Sequence, residues 1–310
     1  MTTSSTKRFD VHEAITTQII QAIEAGTGPL QMPWHRSGGA IYRPTNIASG
    51  NAYRGVNVIA LWAAAHSRGF EHGVWGTYRQ WQAKGGQVRR GEKSSLVVFY
   101  KTLDADDDHH HQQQDDEQQH RRFVAKASYV FNVDQVDNVD TDVDAPKPDI
   151  DPVVRDQSAE AFLTATRAVI REGGDRAFYH PSDDTITMPD RWRFTGTETI
   201  TPTEAWYATA FHELVHWSGA QKRLDRQFGE RFGDDAYAVE EMVAEIGAAF
   251  LCGDLGITAE PRPDHAAYVD HWLRIMKGDR KAVFAAASAA SKAADYLAGL
   301  AKPEEVRDAA

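Results

Sequence analysis

Apolar residues with a helical period alternate with glycine-rich breaks in the first third of the chain. Between Val11 and Glu24 they recur every three to four positions, and the period ends at Gly26, which predicts an amphipathic helix. Residues 57–67 and 75–84 predict two further helices, the second of which stops at Gly85-Gly86.

Two strand-like runs follow, at residues 95–102 and 122–131, because both are short and rich in β-branched and aromatic side chains. Between them, residues 104–120 contain seven acidic residues and no Lys or Arg, giving a charge of -7. We expect this low-complexity tract to be a long surface loop of the hairpin. The three histidines at 109–111 could bind a metal, but a flexible acidic loop does not fix their geometry.

The C-terminal half is predicted to be rich in helices. Residues 203–217 look helical, with Thr201 or Thr203 as the start signal and Gly219 as the stop. A second, more acidic helix covers residues 237–250, where apolar side chains make most of the surface suited to burial.

An acidic, proline-containing stretch separates the two halves. Residues 134–151 hold seven Asp and one Lys, and such a sequence buries little apolar surface. We therefore predict a domain at 1–135, an acidic linker at 136–151 and a second domain at 152–310.

The overall charge of -11 hides a difference between the two halves. Residues 7–100 carry 11 basic and 5 acidic residues, whereas residues 152–310 carry 18 basic and 26 acidic residues. The two halves are therefore expected to meet different partners.

The size and cysteine content restrict the class of protein. A chain of 310 residues and 34.5 kDa is long enough for two hydrophobic cores. Its one cysteine, Cys252, excludes an intrachain disulfide and a four-thiolate metal site. We expect a cytoplasmic protein that does not span a membrane, because the chain has no apolar leader and no long apolar run.

Aromatic residues and cations are interleaved in the N-terminal half. Flat aromatic faces can stack on unpaired bases while cations contact phosphates, which is what binding of single-stranded nucleic acid requires. The same composition also fits a core with scattered surface arginines, and the spacing of Trp62 and Trp81 favours the core for those two.

The sharpest motif is His212-Glu213-Leu214-Val215-His216. On a helix, two histidines four residues apart lie on one face and can share a zinc ion. Glu213 can then accept a proton from a water that the metal activates. A chain of this composition would contain about 0.03 such motifs by chance, although a buried helix with incidental histidines is the alternative.

A two-histidine site needs a third protein ligand, and the acidic helix offers one. Glu241 and Glu245 share a face, so Glu241 can bind the metal while Glu245 accepts a hydrogen bond from a ligand imidazole. Glu240 is the alternative ligand on this helix, but it lies about 100° away and is expected to face elsewhere, which favours Glu241. Other candidates for the third ligand or for a polar group that stabilises an oxyanion are His180, His265, His271 and Tyr237.

Residues 176–188 predict two short strands around a turn at 181–184. An exposed strand edge near the metal could hold an extended peptide through backbone hydrogen bonds.

Dispersed motifs throughout the chain resemble the ArdC-type antirestriction family. Those in the N-terminal half are similar to the ArdC N-terminal domain, which also occurs in plasmid TraC-type primases. The motifs are ITTQII at 15–20, GTGPL at 26–30, Pro33-Trp34, PTN at 44–46, YRGVN at 53–57, GGQVRRGEK at 85–93 and FNVDQ at 131–135. HELVHWSG at 212–219 and YAVEEMVAE at 237–245 resemble the family's zincin-like metallopeptidase domain. The tract at 104–120 departs from the family pattern.

The resemblance implies two α+β domains, the first binding single-stranded DNA and the second a helix-rich, zincin-like metallopeptidase domain with a small sheet. It matches His212, His216 and Glu241 to metal ligands and Glu213 to the catalytic glutamate. It also favours DNA binding by the N-terminal half. The candidate DNA contacts are Trp34, Arg36, Arg43, Tyr53, Arg54, Asn57, Trp75, Tyr78, Arg79, Lys84, Arg89, Arg90 and Lys93.

The function implied is protection of incoming plasmid DNA from host restriction during conjugation. Zinc is the expected metal for two histidines and one glutamate, although manganese or another divalent ion also suits an oxygen-containing site. Two hypotheses follow: a DNA-bound metalloprotease that cleaves a restriction enzyme or another host protein, or a protein that coats single-stranded DNA and uses its metal domain for structure or partner binding.

Overall fold

The computed structural model describes residues 9–24, 43–102, 123–139, 152–194, 196, 200–226, 235–257 and 266–302. The helices in this part of the chain are α1 (Val11–Glu24), α2 (Val56–Arg68), α3 (Tyr78–Ala83), α4 (Pro152–Thr166), α5 (Pro202–Ser218), α6 (Asp235–Leu255), α7 (Ala266–Gly278) and α8 (Ala282–Leu300). The strands are β1 (Thr45–Asn46), β2 (Val74–Gly76), β3 (Gln87–Val88), β4 (Ser95–Thr102), β5 (Phe123–Asn132), β6 (Val136–Asp137), β7 (Val169–Glu172), β8 (Phe178–His180) and β9 (Thr185–Met188). This mixture of helices and small sheets confirms the α+β prediction.

The N-terminal half folds around a four-stranded sheet in the order β1-β2-β5-β4. Strands β4 and β5 form the predicted antiparallel hairpin, with a register that runs from Ser95 opposite Val130 to Thr102 opposite Phe123. The tract at 104–120, with its histidines at 109–111, lies outside the described residues.

The prediction of a helix at residues 75–84 is only partly correct. Residues 74–76 form β2, in which Trp75 pairs with Asn132 of β5. Helix α3 begins after Thr77, whose side chain accepts a hydrogen bond from the Gln80 amide while the Gln80 side chain accepts one from the Thr77 amide. Pairing with β5 therefore takes the first residues of the predicted helix into the sheet.

The start of the predicted linker also contributes to a sheet. Strand β6, at residues 136–137, pairs antiparallel with β3, with Val136 opposite Val88. Residues 136–137 of the predicted linker therefore pair with the N-terminal half, and residues 140–151 lie outside the part of the chain that the structure describes.

The C-terminal half contains a three-stranded sheet in the order β7-β9-β8. Strands β8 and β9 are the two short strands predicted at 176–188. Tyr179 of β8 lies opposite Ile186 of β9, and both side chains are buried. Helix α5 packs against both strands, so β8 forms the sheet edge closest to the sequence motif on α5.

The two halves share one contiguous hydrophobic core, although the chain is long enough for two. Buried side chains of α1, α2, β4 and β5 belong to the same contiguous cluster as those of α5, α6 and α8. Trp62 of α2 meets Phe250 of α6 with ring centroids 5.8 Å apart. A small second cluster surrounds Trp81. None of the helices in the described residues is long and apolar enough to cross a membrane.

Polar contacts also join the halves. The Arg43 Nε atom lies 3.1 Å from an Asp254 carboxylate oxygen. The Gly55 amide donates to Ser291 Oγ over 2.9 Å, and Thr16 Oγ1 donates to the Arg280 carbonyl over 2.7 Å. The domain interface is therefore held at several points along the chain.

Asn57 should be essential for stability. Its buried side chain donates to the Val98 carbonyl over 2.7 Å and accepts from the Val98 amide over 2.8 Å, which fixes α2 to β4. We expect Asn57→Ala to lower the free energy of unfolding by about 2–4 kcal/mol, because two buried backbone groups lose their partner. Urea denaturation measures this, with the exposed Asn51→Ala as control; equal midpoints for the two variants would contradict the assignment.

Candidate metal centre

Helix α5 carries the His-Glu-x-x-His segment, and local hydrogen bonds fix where it begins. Thr201 Oγ1 accepts from the Glu204 amide over 3.2 Å, and the Thr201 amide donates to Glu204 over 3.0 Å. Pro202 occupies the first helical position, where its missing N–H costs nothing. The segment lies in the last two turns, with His212 and Glu213 buried.

Helix α6 brings Glu241 to the two histidines. The Nε2 atoms of His212 and His216 are 3.2 Å apart. Glu241 Oε2 lies 3.5 Å from His212 Nε2, and its Oε1 lies 3.4 Å from His216 Nε2. These three residues form a group of potential metal ligands whose donor atoms all lie within 4.8 Å of one another.

The spacing of these atoms fits a divalent ion. Bonds of about 2.0–2.1 Å in a tetrahedral zinc site place neighbouring ligand atoms about 3.3–3.4 Å apart. The two imidazole nitrogens, 3.2 Å apart, lie close to that value, and each faces a different oxygen of the Glu241 carboxylate at 3.4–3.5 Å. Two imidazoles and one carboxylate also leave a coordination position for water or substrate, as in catalytic sites.

Two further carboxylates lie behind the histidines. Glu245 Oε2 is 3.3 Å from His212 Nδ1. Glu240 was expected to face elsewhere, but its Oε1 is 3.2 Å from His216 Nδ1. Arg226 donates to the same Glu240 oxygen over 2.8 Å. Each imidazole therefore directs its Nδ1 to a carboxylate and its Nε2 to the metal position.

These acidic groups make the pocket favourable for a cation. Burial lowers the pKa of His216, but Glu240 and Glu241 outweigh burial and raise it to about 10. Burial raises the pKa of Glu241, but its contacts with His212 and His216 hold it well below the usual range. Glu241 is thus held in the ionised form that binds metals.

A glycine allows α5 and α6 to approach this closely. A Cβ atom on Gly247 would lie 2.8 Å from a methyl group of Val215, which is too close for a normal contact. Val215 directly precedes His216, and Gly247 follows Glu241 by less than two turns. The close packing of the helices therefore sets the distance across the ligand group.

Glu213 is held against the edge strand. Its Oε2 accepts a hydrogen bond from the Tyr179 amide of β8 over 2.9 Å. The Tyr179 hydroxyl donates to Asp184 over 2.9 Å, and Arg223 donates to Asp184 over 3.2 Å. This network fixes β8 and therefore the carboxylate that lies beside the ligands.

The other predicted ligands take different positions. His180 is exposed, with Nδ1 2.8 Å from Asp183. His271 and Tyr237 are half-buried on α7 and α6, and neither His180 nor His271 belongs to the ligand group found in the described residues. His265 lies outside those residues.

Four of the predicted DNA contacts lie in the interior. Trp75 is 1% exposed, Tyr53 and Asn57 are buried, and the Arg43 side chain is 9% exposed beside Phe250 and Asp254. Burial lowers the pKa of Arg43, an effect that Asp254 partly offsets. The stacking predicted for Tyr53 and Trp75 does not fit these positions, because a base cannot reach a buried ring.

Seven predicted contacts are exposed, namely Arg54, Tyr78, Arg79, Lys84, Arg89, Arg90 and Lys93. Tyr78, Arg89, Arg90 and Phe131 line a cleft of about 560 Å³, which we call the α3–β3 cleft. Tyr78 is 41% exposed and meets Phe131 edge-on. Arg54 lies elsewhere, paired with Asp295 of α8. Trp34 and Arg36 are outside the described residues.

Comparison with family models divides the chain into two parts. Residues 9–131 match the N-terminal domain of anti-restriction factor ArdC, and residues 157–289 match a zincin-like metallopeptidase. The crystal structure of antirestriction ArdC protein from R388 plasmid, in its Mn(II)-bound form, is 36% identical and has a TM-score of 0.74. The similarity covers 96% of this chain and 100% of that one.

The chain belongs to the ArdC antirestriction family. The metal-free ArdC structure gives a TM-score of 0.72 at 38% identity, covering 94% of this chain and 98% of that one. Protein y4eC of Sinorhizobium fredii is 45% identical over the full length of both chains. DNA primase TraC of Escherichia coli is 36% identical over 92% of this chain, which spans 27% of that primase.

Membership of the ArdC family agrees with the two-domain layout and with a divalent metal at the ligand group. Sequence reasoning missed Arg226 and the Tyr179 amide, and it weighed Glu240 only as a metal ligand, not as a partner of the His216 Nδ1 atom. Glu240 and Glu241 do point in different directions from the helix, as the sequence predicts. Both still contact His216, because Glu240 lies beside its Nδ1 atom and Glu241 beside its Nε2 atom. A backbone amide such as that of Tyr179 leaves no residue-type signal.

The carboxylates behind the histidines should tune metal affinity. We expect Glu240→Gln and Glu245→Gln each to weaken metal binding about 10–100-fold, because they orient the imidazoles and increase their basicity. Calorimetric titration of the apoprotein with Zn²⁺ and Mn²⁺ measures the effect. The exposed Glu71→Gln is the control, and unchanged affinity in both site variants would contradict the assignment.

Proposed function

We propose that this ArdC family member is a metal-dependent peptidase that binds single-stranded DNA and protects incoming plasmid DNA from restriction during conjugation. The observation that carries the proposal is the complete set of His212, His216 and Glu241 with Glu213 beside it. Similarity to antirestriction ArdC over nearly the whole chain supports the biological role. Zinc is the proposed metal, and Mn(II) in the related crystal structure makes manganese the main rival.

In the proposed reaction, Glu213 is the proton carrier. A divalent ion in this ligand set acts as a Lewis acid towards water and a carbonyl group. The Glu213 carboxylate accepts a proton from the attacking water and delivers it to the leaving amine. Its hydrogen bond from the Tyr179 amide holds it in place without supplying a competing positive charge.

The peptide would bind along β8. This strand is at the edge of its sheet, and its Tyr179 amide contacts Glu213. An extended peptide paired with such an edge lies parallel or antiparallel to it and passes close to the metal ligands. Backbone pairing recognises an extended segment largely independently of its side chains, so the proposed substrate is a flexible protein segment.

The proposed DNA surface in the N-terminal half is the α3–β3 cleft together with nearby cations. Tyr78 offers a half-exposed ring, and Arg89 and Arg90 line the same cleft. Arg79, Lys84 and Lys93 are also exposed. Glu92 and Asp137 partly neutralise Arg89, at 3.0 and 3.4 Å, which leaves Arg90 as the stronger candidate for a phosphate contact.

Glu213→Gln should separate hydrolysis from the other properties. We expect it to bind metal and fold as the parent does, and to lose peptide hydrolysis at least about 100-fold, because only the proton carrier is removed. Protection of unmodified plasmid DNA is then measured during conjugation into a restricting host, with Glu71→Gln at equal expression as control. Hydrolysis at the parent rate would refute the peptidase proposal. Full protection without hydrolysis would favour DNA coating as the antirestriction mechanism.

Tyr78→Ala should weaken binding to single-stranded oligonucleotides by about fivefold or more, because a stacked base contributes about 1–3 kcal/mol. Fluorescence anisotropy over a range of salt concentrations measures the affinity and its salt dependence. Tyr129→Ala is the control, since Tyr129 is 54% exposed but does not line the α3–β3 cleft. Equal loss in both variants would argue against this surface, and equal affinity of the parent for duplex and single strands would argue against single-strand binding.

A further inference from the structure

A second cleft lies where the two halves of the protein meet. Its volume is about 650 Å³, and we call it the α2–α8 cleft. One wall comes from α1, the start of α2 and strand β4, and the other comes from α8. Two of the candidate DNA contacts from the N-terminal half, Arg54 and Asn57, line it, but the sequence motifs point to no residue of α8.

The cleft is cationic. Arg54, Lys281 and Lys292 line it, and no Asp or Glu is among its lining residues. Arg54 is paired with Asp295. In the described part of the chain, no carboxylate forms an ion pair with Lys281 or Lys292, and both are exposed. An anion entering the cleft would therefore meet two lysines whose charge is not already neutralised by those residues.

The same cleft also offers aromatic faces. Phe99 is 48% exposed and Tyr100 is 53% exposed, although both follow the buried Val98 on β4. Phe284 of α8 contacts the His12 ring at a centroid distance of 4.7 Å, and His12 Nε2 lies 3.3 Å from the Tyr100 hydroxyl. Exposed rings beside unneutralised lysines match the two parts of a nucleotide, which has a flat base and an anionic phosphate.

The start of α2 adds to the positive potential. Gly55 precedes the helix and provides no side-chain cap, while its amide donates to Ser291 of α8. The first turn of a helix carries a partial positive charge that favours anions. This contribution has the same sign as that of the lysines.

We propose that the α2–α8 cleft binds a segment of single-stranded DNA, so that one strand contacts both domains of the protein. This inference rests on the proposed binding of single-stranded DNA and extends it to α8 of the metallopeptidase domain. Lys281 and Lys292 contact phosphates, while Tyr100, which lies beside His12 in the cleft, presents its ring to a base. An acidic peptide would use the same lysines and could pair with the edge strand β4, but the Asn57 side chain already occupies the Val98 amide and carbonyl on that edge. The exposed aromatic surface therefore favours DNA.

The first experiment measures the number of phosphate contacts. For a single strand, each neutralised phosphate contributes about 0.7 to the slope of the logarithm of the binding constant against the logarithm of salt concentration. The double variant Lys281→Ala/Lys292→Ala of the full chain should therefore lower that slope by about 1.4 and reduce affinity for a long oligonucleotide. The control Arg176→Ala/Arg274→Ala removes two exposed cations that do not line the cleft.

The second experiment tests contact directly. The one native cysteine, Cys252, is buried, and burial raises the pKa of its thiol, so an introduced cysteine can be labelled selectively. Ser288→Cys carries a photo-crosslinker into the cleft, and Arg274→Cys carries the same label on α7 as control. We expect crosslinks between labelled Ser288→Cys and a single-stranded oligonucleotide, with few or none from the control.

The outcomes distinguish this inference from the proposed function. The cleft is not a DNA site if the parent and the Lys281→Ala/Lys292→Ala variant bind DNA with the same salt slope, or if the two cysteine positions crosslink equally. Either result leaves the proposed DNA binding at the α3–β3 cleft unaffected. If the parent does not bind single-stranded DNA at all, both proposals fail. Crosslinking of Ser288→Cys that Tyr78→Ala does not abolish would establish the cleft as a separate contact.

Discussion

The packing of α5 against α6 buries two imidazoles with three carboxylates, and the arrangement of the C-terminal half depends on this contact. A buried charge is costly unless it is paired, so His212, His216, Glu240, Glu241 and Glu245 constrain one another's positions. The close approach of the helices at Gly247 and Val215 gives the pairs their short distances. A site with this much internal pairing is already shaped for a cation before one binds.

A hydrogen-bond network on β8 holds the fourth residue of the motif, Glu213, beside the ligand group. Strand β8 supplies an amide to Glu213, and Asp184, Arg223 and the Tyr179 hydroxyl hold the strand in place. The lowered pKa of Asp184 reflects hydrogen bonds from Arg223, Lys222 and Tyr179 that outweigh burial, which would raise it. The proposed proton carrier, Glu213, and the strand edge proposed to hold a peptide are therefore held together by the same hydrogen bonds.

Features that depend on neighbouring residues could be predicted from the sequence. Features that depend on side-chain orientation in the fold or on contacts between distant segments could not. The spacing of His212 and His216 and the Thr201 start signal are properties of one helix, so they could be identified from neighbouring residues. The burial of Trp75 depends on pairing between β2 and β5, which are distant in sequence. The sequence alone does not show which polar and aromatic side chains point outward. Asn57 and Tyr53 are therefore predicted to contact DNA, whereas in the fold both are buried.

The continuous core has a consequence for how such a protein can be rearranged by recombination. Trp62, Phe250 and their neighbours bury apolar surface that belongs to both halves, and a cut between the halves would leave both faces in water. We therefore expect the two parts to be stable only together, although each matches a family model of its own. The similarity to TraC covers 92% of this chain, so both halves occur together within that longer primase.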